Sequence, residues 1–375
     1  MKKQLHFIRL AFVGAVLFTV SSAVAQEEVV VNIPDENMKQ ILVENLEINT
    51  NEDDEIQISE AVAYTGAIDL LNMGIQDLTG IEAFVNITEL DCSENQLTSL
   101  DVSANTELKK LYCYDNQLES LNLNQNTLLE LLSCENNQLT SLDVSANTEL
   151  KKLYCYDNQL ESLNLSQNTL LELLSCENNQ LTSLDLTYNP SLKQLHCAEN
   201  LITFFQGLGT NLVELICQDN KLTSLDLSHC TSLNKLFCEN NELISLNVKN
   251  GNNTNFINFS AIGNPYLSCI KVDDAQGNYL ANWNKDQGAE YSEDCESLTT
   301  GDQEAVLSGL YPNPVLSNLS VLVKNSQKGD LYDAMGKKLQ EIELVEGLNQ
   351  VSMEYLSAGI YFLVVGNQTY KIVKQ

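Results

Sequence analysis

Leucine, cysteine and asparagine recur along most of the chain at fixed places in a period of 21 residues. The cysteines that mark this period stand at 92, 113, 134, 155, 176, 197, 217 and 238, with one interval shortened by a single residue. A period this regular predicts stacked copies of one supersecondary unit, each of which buries its apolar face against its neighbours.

Within each copy the pattern predicts a short strand followed by a turn. In the first regular copy, Leu90 and Cys92 are two residues apart and therefore point to the same, inward side. Asn95 follows at the turn, where its amide is expected to bond the backbone of the neighbouring coil. Residues 100–103 supply a second apolar pair on the far side of the coil. The copies begin near Ile87, Leu108, Leu129, Leu150, Leu171, Leu192, Leu212 and Leu233.

The unit LxxLxCxxNxLTSLDLSxNTx resembles a short bacterial leucine-rich repeat. The resemblance implies a solenoid with a curved parallel β-sheet and short coils over residues 66–268. Equivalent cysteines in stacked strands would lie about 4.8 Å apart with parallel Cβ vectors. Because that geometry suits neither a disulfide nor a tetrahedral zinc site, we expect the thiols to fill an interior column.

A small cap is predicted at each end of the repeats. Residues 26–65 form the amino-terminal cap, in which a helix after Asp35 places Met38, Leu42 and Leu46 on one face. Residues 269–296 form the carboxy-terminal cap. We expect Cys269 and Cys295 to pair, a disulfide that would stabilise this end by about 3–4 kcal/mol.

The amino-terminal cap contains a segment that resembles a twelve-residue EF-hand loop. Oxygen donors fall at the spacing that calcium requires, at Asn49, Asn51, Asp53, Glu55, Gln57 and Glu60. Two positions depart from the pattern, because Asn49 replaces the usual first aspartate and Asp54 replaces the turn glycine. Ca²⁺ is therefore the candidate cofactor, with the role of stabilising the cap, and an acidic, solvated loop is the alternative.

The amino terminus has the composition of a signal peptide over residues 1–25. Lys2, Lys3 and Arg9 come before or within an apolar stretch that is too short to span a bilayer. Removing this leader takes away three of the 20 basic residues and none of the 51 acidic ones, so the net charge falls from −31 to −34. A chain this acidic is not expected to bind nucleic acid.

The pattern changes after a small, polar linker at 297–306. Alternating apolar runs with turn residues predict a β-sandwich of the Ig-like kind over 307–375. Its segments YPNP, LYDxxGK, LxxGIYFLVV and the terminal KIVKQ resemble the carboxy-terminal sorting domain of the type IX secretion system of Bacteroidetes. The resemblance implies a partner in that secretion machinery and export to the cell surface or the medium. No apolar segment after the leader approaches the length of about 20 residues that a membrane span requires, so we expect no transmembrane segment in the mature chain.

Candidate ligand residues flank the cysteines, where side chains are expected to point away from the core. The predicted ligand-binding stripe on the concave sheet consists of Tyr112, Tyr114, Tyr154, Tyr156, His196, Ile216 and Phe237. Exposed tyrosines with interleaved Glu135 and Glu177 suit a protein, peptide or glycan ligand. Inheritance of one Tyr-x-Tyr copy by duplication is the alternative, since residues 95–135 and 137–177 differ only at Asn124 versus Ser166.

Catalysis has little support in the sequence. The predicted mature chain has two histidines, His196 and His229, at non-equivalent repeat positions, and its carboxylates are scattered over turns. We therefore expect a recognition protein of the adhesin type and not an enzyme. The alternatives are a calcium-stabilised structural protein or a secreted hydrolase or inhibitor.

Overall fold

A computed structural model describes residues 29–295 and 307–374, apart from positions 312, 316, 324, 334, 335 and 367. The predicted signal peptide and linker lie outside the described residues. The chain forms two compact units. The first contains the described residues up to Thr223 together with 229–242 and 256–263, and the second contains 224–228, 243–255 and the described residues from Asn264 onward.

Few helices are present among the described residues. Two are α-helical, α1 (Glu36–Glu44) and α2 (Ile58–Ala63), and short 3₁₀ turns occur at Ile81–Ala83, Asn253–Asn255 and Asn278–Asn282. Asp35 caps α1 by accepting hydrogen bonds from the backbone N–H groups of Asn37 and Met38. Met38 and Leu42 are buried as predicted, but Leu46 is 67% exposed because the helix ends two residues before it.

The strands of the repeats are short, and each copy contributes one or two of them. In chain order they are β1 (Ala67–Asp69), β2 (Glu89–Asp91), β3 (Lys110–Tyr112), β4 (Leu131–Ser133), β5 (Lys152–Tyr154), β6 (Leu173–Ser175), β7 (Leu184–Asp185), β8 (Gln194–His196), β9 (Phe205–Gln206), β10 (Glu214–Ile216), β11 (Ser224–Asp226), β12 (Lys235–Phe237), β13 (Ser245–Asn247), β14 (Asn258–Ala261), β15 (Cys269–Lys271), β16 (Asn284–Lys285) and β17 (Glu290–Ser292).

The first unit is a parallel solenoid. Its main sheet runs in the order β1-β2-β3-β4-β5-β6-β8-β10-β12-β14, and β7 pairs with β9 separately. The register joins equivalent residues of successive copies, such as Leu90 with Leu111 and Leu111 with Leu132. These leucines and the eight periodic cysteines have no exposed surface, and the thiols are free. The predicted leucine-rich repeat solenoid is thus confirmed.

Buried asparagines tie the coils together at each turn. Asn137 donates from its side-chain nitrogen to the carbonyl groups of Cys113, Cys134 and Glu135 at 3.0, 3.2 and 3.1 Å. Its side-chain oxygen accepts the backbone N–H of Leu118 at 2.9 Å. The backbone ladder does not reach the Cys113 and Cys134 carbonyls or the Leu118 N–H, so the asparagines of successive coils satisfy polar atoms that would otherwise be buried without partners. The Glu135 carbonyl also accepts the backbone N–H of Asp115.

In the second unit, β11, β13, β15 and β17 form a parallel sheet in that order. The predicted cysteine pair is joined here, since a disulfide links Cys269 to Cys295. Trp283 lies within the loop that this bond closes, and it packs against Tyr279 and Tyr291 with ring centroids 5.3 and 6.0 Å away. The cap therefore combines a covalent closure with an aromatic core.

The carboxy-terminal residues form two antiparallel sheets that enclose one apolar core. Their strands are β18 (Leu307–Tyr311), β19 (Asn318–Val323), β20 (Gln327–Asp333), β21 (Lys338–Leu344), β22 (Gly347–Ser352), β23 (Gly359–Val365) and β24 (Gln368–Lys374). One sheet has the order β18-β19-β22 and the other β21-β20-β23-β24. Val321, Leu331 and Leu363 are fully buried in this core. The arrangement is compatible with the β-sandwich expected from the sequence.

Candidate functional site

The main sheet aligns the flanking residues of successive cysteines into two columns, which together we call the tyrosine face. The strand register pairs Tyr112 with Ser133, Ser133 with Tyr154, Tyr154 with Ser175 and Ser175 with His196. Ile216 and Phe237 continue this first column. The second column, just after the cysteines, contains Ser93, Tyr114, Glu135, Tyr156, Glu177, Ala198, Gln218 and Glu239.

Two tyrosine pairs border a gap that is one strand wide. Tyr112 and Tyr114 stand on one side of it, and Tyr154 and Tyr156 on the other, all four of them half-buried. Because neighbouring strands are about 4.8 Å apart, the two pairs are separated by roughly 10 Å. The intervening strand β4 ends in Ser133, which is 4% exposed and brings no aromatic side chain into the gap. We call this gap the tyrosine slot.

Glu135 lies at the floor of the slot. The Ser133 hydroxyl is 2.8 and 2.7 Å from the two carboxylate oxygens, and the Glu135 residue is only 7% exposed. Burial raises the pKa of the Glu135 carboxyl, with a smaller contribution from Asp115. Partial burial, followed by the charge of Glu135, likewise raises the pKa values of Tyr154 and Tyr156.

The duplicated copy repeats the serine and glutamate without the second tyrosine wall. Ser175 hydrogen-bonds Glu177 at 2.6 Å, as Ser133 does Glu135. On the following strand, however, the columns contain His196 and Ala198 in place of tyrosines. The Glu177 side chain keeps 28% of its surface exposed. The glutamate of the same local sequence is therefore nearly buried in the first copy, as Glu135, and partly exposed in the second, as Glu177.

Farther along the face, the charges are paired within the protein. His196 Nε2 lies 3.1 Å from Glu214, and its Nδ1 lies 3.7 Å from Glu177. Lys235 Nζ is 2.6 Å from Glu214 and 5.6 Å from the centre of the Phe237 ring. Burial alone would raise the pKa of Glu214, but Lys235 and His196 hold it below its ordinary value.

Sequence reasoning missed the ion pairs along one edge of the sheet. Lys151 pairs with Glu130 at 2.6 Å, and Lys193 pairs with Glu172 at 2.9 Å. Each pair spans 21 residues, so opposite charges one period apart were the signal that could have found them. The other edge holds only acids and asparagines, in left-handed turn positions with positive φ: Glu94, Asp115, Asn136, Asp157, Asn178, Glu199, Asp219 and Asn240.

The EF-hand-like loop is closed by hydrogen bonds among its own candidate ligands. The Asn51 amide donates to Asp53 and Gln57, and the Gln57 amide also donates to Asp53, all at 2.8–2.9 Å. Glu55 turns its side chain to Lys39 at 2.7 Å, which leaves only its carbonyl for an ion. Asn49 is 2% exposed, and its side-chain oxygen has no partner among the described residues.

Glu60, at the position of the bidentate EF-hand carboxylate, has a second role. One of its oxygens accepts from the backbone N–H groups of Thr50 and Asn51, and the other accepts from the backbone N–H of Gln57. Glu60 and Gln57 thus form a capping box at the start of α2. The loop brings Asn49, Asn51, Asp53, Gln57 and Glu60 together, and calcium binding stays a prediction.

Two features are absent from the part of the chain that the structure describes. In those residues, no three or more histidines, cysteines, aspartates or glutamates form a group that could hold a metal ion. The same residues include no helix with the length and apolarity needed to cross a membrane.

The chain is similar to three known proteins. Beta-agarase A of Zobellia galactanivorans is 29% identical over 83 residues, which are 21% of this chain and only 15% of that protein. A solved domain of InlJ from Listeria monocytogenes, described as including a cysteine ladder, is 21% identical (91% of this chain, 97% of that one, TM-score 0.28). YopM from Yersinia pestis, a leucine-rich effector protein, is 24% identical (60% of each chain, TM-score 0.45).

The carboxy-terminal part matches a family. The match is to the secretion system C-terminal sorting domain and covers residues 309–375, within the segment that the sequence assigned to type IX sorting. Such a domain implies export to the cell surface or to the outside. Residues 309–375 therefore match the secretion system C-terminal sorting domain, and they are joined in one chain to a leucine-rich repeat solenoid.

Proposed function

We propose that the protein is an exported recognition module that holds a protein, peptide or glycan ligand on the tyrosine face. The single observation that carries this proposal is the pair of tyrosine walls at Tyr112, Tyr114, Tyr154 and Tyr156. The solenoid is held together by leucine, cysteine and asparagine on its inner side. Its own packing therefore does not require aromatic side chains on the tyrosine face.

The chemistry of the face supports binding. Half-buried tyrosines offer flat apolar rings that lose little conformational entropy, together with hydroxyl groups that can exchange hydrogen bonds with a ligand. They stand beside Glu135 in an array whose register is set by the repeats. A ligand would therefore meet a preorganised surface and would not need to order a flexible loop.

The test is a Tyr112→Ala/Tyr154→Ala double variant of the full chain, probed on peptide and glycan arrays and on cell surfaces. We expect about a tenfold or greater loss of binding, because aromatic anchors dominate interface energies. The matched control is Tyr188→Ala, since Tyr188 is 57% exposed and lies outside both columns. The melting temperature should be similar in all three proteins.

Two results would contradict this proposal. Retention of all binding by the double variant would show that the tyrosine face is not the ligand surface. On this proposal the protein is not an enzyme. Activity in a panel of protease and glycosidase assays, abolished by a single carboxylate substitution, would instead favour a hydrolase.

A further inference from the structure

The floor of the tyrosine slot carries a negative charge without a matching positive one. Glu135 receives hydrogen bonds from the Ser133 hydroxyl, which has one hydrogen to share between two carboxylate oxygens. Among the described residues, no lysine or histidine forms an ion pair with Glu135. Glu130, Glu172 and Glu214 of the sheet differ from Glu135, because each of them pairs with a lysine.

The surroundings of Glu135 add to this excess of negative charge. Asp115 lies near enough to contribute to the raised pKa of Glu135, and Asp157 stands at the equivalent position two coils on. The remaining walls are tyrosine rings, whose faces carry partial negative charge. Burying an ionised carboxylate in such a setting costs free energy of folding unless a cation neutralises its charge.

The width of the slot suits a cation between two aromatic walls. With about 10 Å between the tyrosine pairs, a charge held midway would lie about 5 Å from either wall, inside the roughly 6 Å range of a cation–π contact. It would stand directly above the Glu135 carboxylate. The slot thus places one anion between two rows of tyrosines, where a single positive group could contact all three.

We propose that the tyrosine slot binds a lysine or arginine side chain from an extended, basic segment of a partner protein. This inference rests on the proposed function and names its ligand class. The acids that follow the slot along the left-handed turns, including Asp115 and Asp157, are complementary to further basic residues in the same segment. Sugars lack the charge that Glu135 requires.

Glu177 provides an internal comparison. It has the same neighbouring serine but only one tyrosine wall, and His196 lies 3.7 Å from it on the other side. A cation above Glu177 would therefore meet one aromatic wall and an existing basic group. Binding is expected at Glu135 and not at Glu177, although the two local sequences are identical.

The experiment measures binding of capped lysine, capped arginine and capped norleucine to the full chain by saturation-transfer NMR titration. We expect the two basic probes to bind at least about tenfold more tightly than norleucine. Glu135→Gln should abolish this preference, while Glu177→Gln should leave it within about twofold of the wild type. The melting curves of both variants serve to show that the fold is retained.

Equal affinity for lysine and norleucine, no binding of the basic probes, or equal losses in the two glutamine variants would overturn the inference. If glycan or neutral peptide probes still bound in a manner that depended on Tyr112 and Tyr154, the broader proposal of a recognition face would stand while this one failed. If the tyrosine double variant lost no binding of any kind, both would fail.

Discussion

Glu135 and Glu177 show how the same residue acquires different properties within one repeat array. Each follows a serine and a buried cysteine, and each accepts a hydrogen bond from that serine. Only Glu135 lies between two tyrosines of its column, Tyr114 and Tyr156, so only Glu135 is nearly enclosed. Its environment is determined by residues one period before and one period after it.

This enclosure has a consequence for stability. Burial raises the pKa of Glu135 in the folded state above its unfolded value, so the ionised form destabilises the fold at neutral pH. Folding stability should therefore increase as pH falls from above the folded-state pKa toward the unfolded value of about 4.3. We expect Glu135→Gln to melt at a higher temperature than the wild type at pH 7, with the difference shrinking at lower pH.

Thermal melts of the wild type and Glu135→Gln from neutral to acidic pH check this expectation, with Glu177→Gln as the variant at the open copy. A difference that does not change with pH would contradict the assignment of the cost to the ionised carboxylate. A melting temperature lower than that of the wild type for Glu135→Gln at pH 7 would contradict the predicted direction of the effect. Retention of a destabilising charge is typical of a residue that serves binding.

At the scale of elements, one loop of the amino-terminal cap has an observed structural role and a predicted calcium-binding role. Glu60 caps α2 through backbone N–H groups, and the same carboxylate occupies the calcium position of an EF-hand. The side-chain oxygen of Asn49 has no partner among the described residues, a property that it shares with the side-chain oxygens of the repeat asparagines Asn105, Asn126, Asn147, Asn168 and Asn189. The Asn51 and Gln57 amides would have to rotate to present their oxygens.

We therefore predict that calcium raises the melting temperature of the full chain. Calcium at 100 times its dissociation constant would stabilise the folded state by about 2.7 kcal/mol. Asp53→Asn removes one charged ligand and should abolish most of the increase. Asp54→Asn changes a neighbouring exposed acid and should preserve the calcium-dependent increase in melting temperature. The absence of any shift in the wild type, or equal shifts in both variants, would show that the loop is only a hydrogen-bonded turn.

At the scale of the whole molecule, the proposed recognition surface and the sorting domain lie in separate parts of the chain. The tyrosine face is built from repeat strands between β3 and β12, whereas residues 309–375 carry the sorting function. An export signal of this kind needs no contact with the ligand, so the two functions can be altered independently.

We expect residues 297–375 to direct a fused periplasmic reporter to the outside of a bacterium that has a type IX secretion system. The same fusion with Leu363→Asp should remain inside, because Leu363 is fully buried in the core of the sandwich and a carboxylate there disrupts the fold. Fractionation and surface proteolysis of the reporter measure the outcome. Equal export of both fusions would show that sorting does not depend on the folded sandwich.

Much of the architecture could be predicted because the repeats impose one local rule many times. Leu90, Cys92 and Asn95 have roles that follow from alternation and from the needs of buried backbone groups, and each copy repeats them. The single helix face of the cap offered no such redundancy. There the prediction for Leu46 was wrong, because the end of α1 depends on a turn and not on apolar spacing.

The sequence by itself determined the solenoid, its cysteine column, its asparagine ladder and the sorting domain, since each of these arises from patterns within one period or one short segment. Only the tertiary structure decided which charges are paired and which are enclosed. Lys151 and Glu130, or Glu135 and its two tyrosine walls, become neighbours through the strand register, and their burial depends on side chains from three coils at once. Such environments are properties of the stacked array, and no single repeat contains them.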